Sequence, residues 1–360
     1  MQLLLSNNKN FLLTLNNNHA EGFENVLCEL GGRQAEPIKN AAVLINYSHT
    51  IEALKKFFYP LKSKRAFNIN ELDTPTENNL PKLQLTTLTN KVEYIKRVNA
   101  LKQHIQLGNI YEINFCVEFE AKNVDVDPIS MFLKLNDLAE APYTAFAKLD
   151  DIYIISASPE LFLKKTKDVL VTKPIKGTAK RSSNSFEDEN LKNQLHLSLK
   201  ERTENVMIVD VARNDLSKLA QKASVTVPKL YAIESYKTVH QMVSTVQCRL
   251  NASLTFNEII AATFPMPSMT GAPKIRAMEL IEEVEQFKRK EYSGALGYID
   301  DEENFTLSVL IRTIVYDSKN KRLSFSVGSA ITHVCKAEEE YNECLLKANA
   351  LIKAVNGVIQ

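Results

Sequence analysis

The C-terminal third constrains the fold most strongly. FTLSVLIRTIVYD and RLSFSVGSAITHV are two β-rich runs separated by the polar tetrapeptide SKNK, and the helical pattern KAEEEYNECLLKANALIKAV follows. Two such runs around a short polar turn predict an antiparallel hairpin. The first run is apolar on both faces, so it should be buried. Upstream, Val92, Ile95, Val98, Leu101 and Ile105 recur at helical spacing until Gly108 stops the pattern. IYEINFCVEFEA reads as a strand through Ile110, Ile113, Phe115, Val117 and Phe119. DPISMFLKLNDL reads as a short helix, YTAFAKLD and DIYIISAS as strands, and residues 184–216 as one long helix or two abutting ones. KIRAMELIEEVEQFKRK puts Ile275, Met278, Ile281, Val284 and Phe287 on one face, with Pro273 at the first helical position. This order predicts an α+β chain of antiparallel hairpins and a few long helices. Residues 1 to about 85 are Asn-rich and irregular, with a loop or linker at 70–82.

Composition narrows the partners. The 360 residues are 44% hydrophobic and 24% charged, enough for one large domain or two modest ones. A net charge of +1 gives no reason to expect nucleic acid or an anionic membrane. No stretch approaches the length of apolar residues that a membrane span needs. The N-terminus lacks the basic flank and sustained apolar core of a signal peptide. Five scattered cysteines without C-x-x-C spacing point to a reduced, cytoplasmic protein.

Several residues invite chemistry. Arg312 is the single charge in FTLSVLIRTIVY. A buried guanidinium needs an internal acid or a ligand carboxylate, and both readings stand. Glu340, Glu343 and Lys347 share a helix face, either a solvated surface or a carboxylate pair for a hard divalent cation. Glu204 lies where its helix turns apolar, as a surface acid or a further oxygen donor. Glu160, in SPELFL, stands just past a strand end. Lys176 lies between Pro174-Ile175 and Gly177-Thr178; a surface lysine needs neither proline nor glycine beside it, so this amine is being aimed.

SPELFL, PIKGT, ENVMIVDVARNDL, MVSTV, FPMPSMTGAPK, YSGALGYI, IRTIV and EYNECLLKANAL occur in an order and spacing that resemble the chorismate-utilising enzymes. That family includes anthranilate synthase component I, aminodeoxychorismate synthase component I, and the isochorismate and salicylate synthases. The resemblance covers roughly residues 90–355. It implies a shortened N-terminal segment (1–85) contributing to the same fold as a chorismate-binding catalytic domain (86–360). The implied fold is anthranilate synthase component I-like: two large, mainly antiparallel β-sheets packed together with helices outside. It also implies Mg²⁺-dependent chemistry on chorismate. Carried over residue by residue, Glu204 and Glu343 correspond to magnesium ligands, with Glu340 close by. Arg312 and Tyr292 correspond to clamps on the enolpyruvyl carboxylate, helped by backbone at Gly328 and Ala330. Gly177, Thr178, Ser268 and Lys347 correspond to further pocket contacts. Glu160 resembles the general acid for the departing C4 hydroxyl, a role worth about 10²- to 10⁴-fold.

Within the family, Lys176 resembles the lysine of aminodeoxychorismate synthase component I, where anthranilate synthase-like members usually have alanine. There the amine adds to C2 of chorismate as the C4 hydroxyl leaves, and ammonia then displaces it at C4. The chemistry needs a neutral amine, so the tight turn is expected to lower the Lys176 pKa by burial; the alternative is a lysine that merely pairs with a carboxylate. Water-adding members carry a lysine where this chain has Glu112, which disfavours that activity. Aminating members usually carry glutamine there, so Glu112 is a departure. Gln241, beside His240, stands where many members have histidine, and Met266-Pro267 where glycine or alanine is usual. The residues contain no G-x-C-x-G nucleophile turn of a glutamine amidotransferase. The resemblance therefore implies a separate glutaminase subunit as ammonia source. The alternatives are anthranilate synthase component I, which releases pyruvate, and a non-catalytic ligand-binding relative.

Overall fold

The computed structural model describes residues 9–17, 19, 21–33, 39–48, 54–67, 80–237 and 239–360. The loop expected at 70–82 lies almost wholly outside them. The helices are α1 (Lys91–Gln106), α2 (Pro128–Ala139), α3 (Ser185–Leu197), α4 (Leu199–Ser217), α5 (Phe256–Thr263), α6 (Lys274–Val284) and α7 (Ala337–Ala354).

Most of the described strands form two sheets; Gly357–Ile359 instead pairs in parallel with Leu83–Thr87. The first runs through Val26–Leu30, Asn10–Leu15, Tyr143–Leu149, Ile152–Ser158, Thr313–Asp317, Arg322–Thr332 and Glu112–Lys122, antiparallel at every step. The hairpin expected around residues 318–321 is present. Arg322–Thr332 pairs with Glu112–Lys122 over eleven unbroken steps, ending with Thr332 opposite Glu112. The second sheet runs through Ala41–Asn46, Ala295–Ile299, Phe305–Val309, Leu161–Thr166, Val169–Lys173 and Val239–Arg249. Val239–Arg249 also pairs with Ile175–Lys180 and Thr226–Ser235. The long strand Lys55–Ala66 belongs to both sheets, pairing through its first half with Ala41–Asn46 and through its second with Val26–Leu30.

Side-chain alternation decides how the sheets pack. Leu12, Cys28, Ala42, Leu44, Ala145, Ala147 and Leu296 form a core drawn from both sheets, and its many small residues allow close approach. Their neighbours Phe11, Leu13 and Phe146 point the other way, against α1, α2 and α7 through Val98, Leu101, Phe132 and Leu351. Val43 and Ile45 of the second sheet face α4 and α5 through Val209, Leu216 and Ile260. The result is two antiparallel sheets face to face with helices outside, as expected. Each fully buried leucine in these layers is worth about 1.5–3 kcal/mol over an exposed one.

Four expectations change. FTLSVLIRTIVYD is not one strand: Phe305–Val309 lies in the second sheet and Thr313–Asp317 in the first. Of the two readings of residues 184–216, two abutting helices is the one that holds, because the Ser198 side chain accepts from the Glu201 N–H and starts α4 afresh. Residues 1–85 are not simply irregular, since their described parts hold five strands. The leading positions of two apolar stripes miss the core: Val92 is 78% and Ile275 75% exposed. Moreover, Pro273 is the cap residue before α6, with ψ of 141°, rather than its first helical residue.

Candidate active site

The chain crosses between sheets at two neighbouring places, Pro159–Glu160 and Leu310–Arg312. The crossings are tied together: the Val309 N–H donates to Glu160 O and the Ala157 N–H to Arg312 O, both at 3.1 Å. Glu160 and Arg312, distant in sequence, thus share one seam. Arg312 adopts a left-handed φ of 51°, a conformation that the surrounding structure must hold against strain.

Glu160 is buried, and the Ser268 hydroxyl donates to its Oε1 at 2.6 Å. Burial pushes its pKa up to about 7, against the opposing pull of Ser268 and Lys176. A carboxyl still protonated near neutrality suits a proton donor. Ser268 sits in a short 3₁₀ turn, Pro267–Met269. That loop is stitched to the Glu112 strand, with Tyr111 N–H donating to Ala272 O and Asn114 N–H to Thr270 O.

Lys176 lies on the strand Ile175–Lys180, its side chain only 10% exposed. Gly177 beside it has φ of 95°, and a Cβ there would stand 3.0 Å from Glu201 Oε2. Glycine is therefore favoured by the bend, and a side chain there would also press on Glu201 and Leu195. Lys176 Nζ is 2.6 Å from Glu112 Oε1, and the Glu112 side chain is 1% exposed. The expectation of a lowered lysine pKa is overturned in this arrangement. Burial works against the ammonium, but Glu112, Glu204 and Glu160 together outweigh it and hold the pKa above the ordinary value.

Glu204 and Glu340 are buried, not surface acids. Burial pushes Glu204 up to about 8 and also raises Glu340. Lys200 Nζ lies between them, 3.3 Å from Glu340 Oε1 and 3.9 Å from Glu204 Oε1. Glu343 instead pairs with Lys347 at 2.5 Å, and Lys347 donates to Gly328 O at 2.9 Å. Among the described residues, no three acidic, histidine or cysteine side chains are gathered as a ready metal cage. The donor set nevertheless fits a hard divalent cation. It is all oxygen, Glu204 Oε1 is buried without a hydrogen-bond partner, and a cationic group already sits between two of the acids.

Arg312 has no carboxylate partner among the described residues; its guanidinium donates to Lys347 O. The internal-acid reading is therefore not met, and the guanidinium is available to an anion. Tyr292 is buried with its hydroxyl 3.6 Å from Cys116 Sγ, and both Tyr292 and Glu343 lie within electrostatic reach of Arg312. Gly328 stands opposite Cys116, where a Cβ would lie 2.5 Å from Sγ, so strand packing alone demands glycine. Ala330 lies opposite Asn114. Thr178 is exposed, opposite the buried Gln241. His240 is tied elsewhere, to Asp188 at 3.0 Å and Ser235 at 2.8 Å.

Sequence reasoning missed two partners. Glu112 is a lone acid in an otherwise apolar stretch of strand, the same signal that singled out Arg312. Lys200 carries no such signal, because an exposed-looking lysine one turn before Glu204 is ordinary.

Known proteins share this sequence pattern and this fold. The family described as chorismate binding enzyme matches residues 35–353. Aminodeoxychorismate synthase component 1 of Escherichia coli K12 is 33% identical over 87% of this chain and 68% of its own length. The probable chloroplastic aminodeoxychorismate synthase of Oryza sativa subsp. japonica is 41% identical over 74% of this chain. The chain spans only about 30% of that relative's length. Anthranilate synthase component I from Streptococcus pneumoniae superposes with a TM-score of 0.76 at 23% identity, covering 94% of this chain and 91% of that one. The family pattern spans most of the sequence and the fold is shared with solved relatives, and the chain belongs to the chorismate-binding enzyme family.

Proposed function

We propose that the chain is aminodeoxychorismate synthase component I, converting chorismate and ammonia to 4-amino-4-deoxychorismate for p-aminobenzoate and folate synthesis. The observation that carries this reading is the Lys176 amine, enclosed beside Glu112 and within the electrostatic reach of Glu160 and Glu204. The names of relatives from E. coli, rice and Arabidopsis thaliana support it. Arg312 and Tyr292 bind the enolpyruvyl carboxylate, with Gly177, Thr178, Ser268, Gly328, Ala330 and Lys347 around the remainder of the substrate. Lys176 supplies the nucleophile, and Glu160 gives its proton to the departing hydroxyl. Glu204 and Glu343, with Glu340 nearby, would hold Mg²⁺, which would supply positive charge for the ring carboxylate. Ammonia comes from a separate glutaminase subunit, and the enzyme works in the cytoplasm.

Anthranilate synthase component I is the second reading. It is favoured by a Haloarcula marismortui relative of that name, 37% identical over 73% of this chain. One assay separates the two: purified protein, chorismate, Mg²⁺ and an ammonium salt. The expected product is 4-amino-4-deoxychorismate without pyruvate release. Anthranilate fluorescence with stoichiometric pyruvate overturns the first reading.

A further inference from the structure

We propose that Glu112 is the proton partner of Lys176, a positioning residue that holds the ammonium at rest and accepts one of its protons as the amine turns nucleophile. This rests on the reading of Lys176 given above. Glu112 is fully buried, yet among the described residues no group besides Lys176 reaches either carboxylate oxygen as a donor. The Lys176 ammonium at 2.6 Å is its one ionic partner among the described residues. A carboxylate kept for architecture is normally saturated with donors. This one is left open to everything but the amine.

The other acids facing Lys176 are Glu160 at the crossing, Glu201 and Glu204 on α4, and Glu343 on α7. Glu160 is engaged by the Ser268 hydroxyl and the Ile175 N–H. Glu343 is engaged by Lys347, and Glu204 faces Lys200. Glu112 alone is within 4.0 Å of the Lys176 nitrogen among the described residues. Transfer of a proton inside the pair turns two buried charges into two neutral groups and moves no net charge into a dry site.

The steps balance. Lys176 –NH₃⁺ gives one proton to the Glu112 carboxylate. The freed lone pair forms the N–C2 bond, the two ring double bonds shift by one position, and the C4–O bond breaks. Glu160 protonates the hydroxyl, which leaves as water. Ammonia then bonds to C4, the double bonds shift back, and the C2–N bond breaks with its electrons returning to Lys176. The new C4 ammonium gives a proton to Glu160, and Glu112 returns its proton to Lys176. No oxidant or reductant enters. A glutamine at position 112 cannot take the proton, so its lysine must release it to water.

The test compares pH profiles of Glu112→Gln and the unaltered chain, with Mg²⁺, chorismate and free ammonia held constant. At pH 6.5 the kcat for C4 amination should fall at least about tenfold in the variant. The gap should close to under threefold by pH 9, and the chorismate KM should stay within threefold. Glu112→Asp, which keeps a carboxylate, should retain the low-pH limb at reduced kcat. If Glu112→Gln does not fold, a Glu112→Asp limb displaced upward by more than one pH unit overturns the proposal. Parallel profiles, or a faster Glu112→Gln at pH 6.5, overturn it as well. Failure of the underlying reading looks different: Lys176→Ala retains C4 amination, or the product is anthranilate, and both ideas then fall.

Discussion

Two buried ion pairs hang on the same strand, and they are built oppositely. Glu285 and Arg289 are each 1% exposed and fully saturated. Glu285 accepts from Arg289 Nε at 2.8 Å and from the Cys116 N–H at 2.9 Å. Arg289 also donates to Met269 O and Asn114 O, and its guanidinium stacks 4.7 Å from the Tyr47 ring centroid. Glu112 and Lys176 are similarly enclosed but have little beyond each other. The first pair clamps the 3₁₀ loop to the strand and has no donor left over. The second stores reactivity that any extra hydrogen bond would quench. Saturation, not burial, separates scaffold from chemistry here.

The contrast can be broken first at Lys176. Lys176→Ala should cut C4 amination by at least about a thousandfold while leaving chorismate and Mg²⁺ binding, read by calorimetry, within threefold. Turnover close to the unaltered rate removes Lys176 from the chemistry. Next, Arg289→Ala leaves a buried carboxylate unpaired and should lose roughly 3–5 kcal/mol in urea unfolding. A loss below about 1 kcal/mol would mean that this pair is not scaffold. Replacing Lys176 and Glu112 together by methionine and glutamine should do the reverse, leaving unfolding stability unchanged or raised by about 1–4 kcal/mol.

Two smaller effects sharpen the picture. Glu343→Gln should weaken Mg²⁺ binding about tenfold in a direct titration, since one anionic oxygen donor is lost; an unaltered titration removes Glu343 from the ligand set. Glu160 should leave a pH signature on stability. Its folded pKa of about 7 lies above the ordinary 4.5, so protonation favours the folded state. That contribution is complete below about 4.5 and lost as pH rises through about 7. Glu160→Gln cannot lose it, and its Tm relative to the unaltered chain should therefore climb between pH 5 and pH 8. A flat difference would place Glu160 in water.

Where one physical signal dominated, the sequence was readable. The hairpin around residues 318–321 and helices α1, α2 and α7 follow from alternation and periodicity, helped at α1 and α2 by caps, all of which act within a few residues. The crossing at Leu310–Arg312 was not readable as such. Strands buried on both faces carry no period, so nothing marks where a run leaves one sheet for the other except the lone charge. The strands in residues 10–66 were masked by asparagine-rich connections, although NFLLTL and AAVLIN are buried almost end to end. At the site, Lys176 and Glu160 were legible through the prolines and glycine beside them and their family likeness; the turn expected at Lys176 is a strand, Ile175–Lys180. The Lys176–Glu112 pair was not, because its members lie 64 residues apart on different sheets and only the packing of those sheets joins them.

The eleven-step ladder between Arg322–Thr332 and Glu112–Lys122 acts as a ruler for a single carboxyl group. Successive side chains point to opposite faces, so a slip of one place would swing Glu112 away from the amine and offer it the sec-butyl side chain of Ile113 instead. A hydrocarbon cannot receive a proton, and such a molecule could stay folded, bind its metal and still be silent. Inheritance of activity in this chain therefore depends on counting correctly along one hairpin arm.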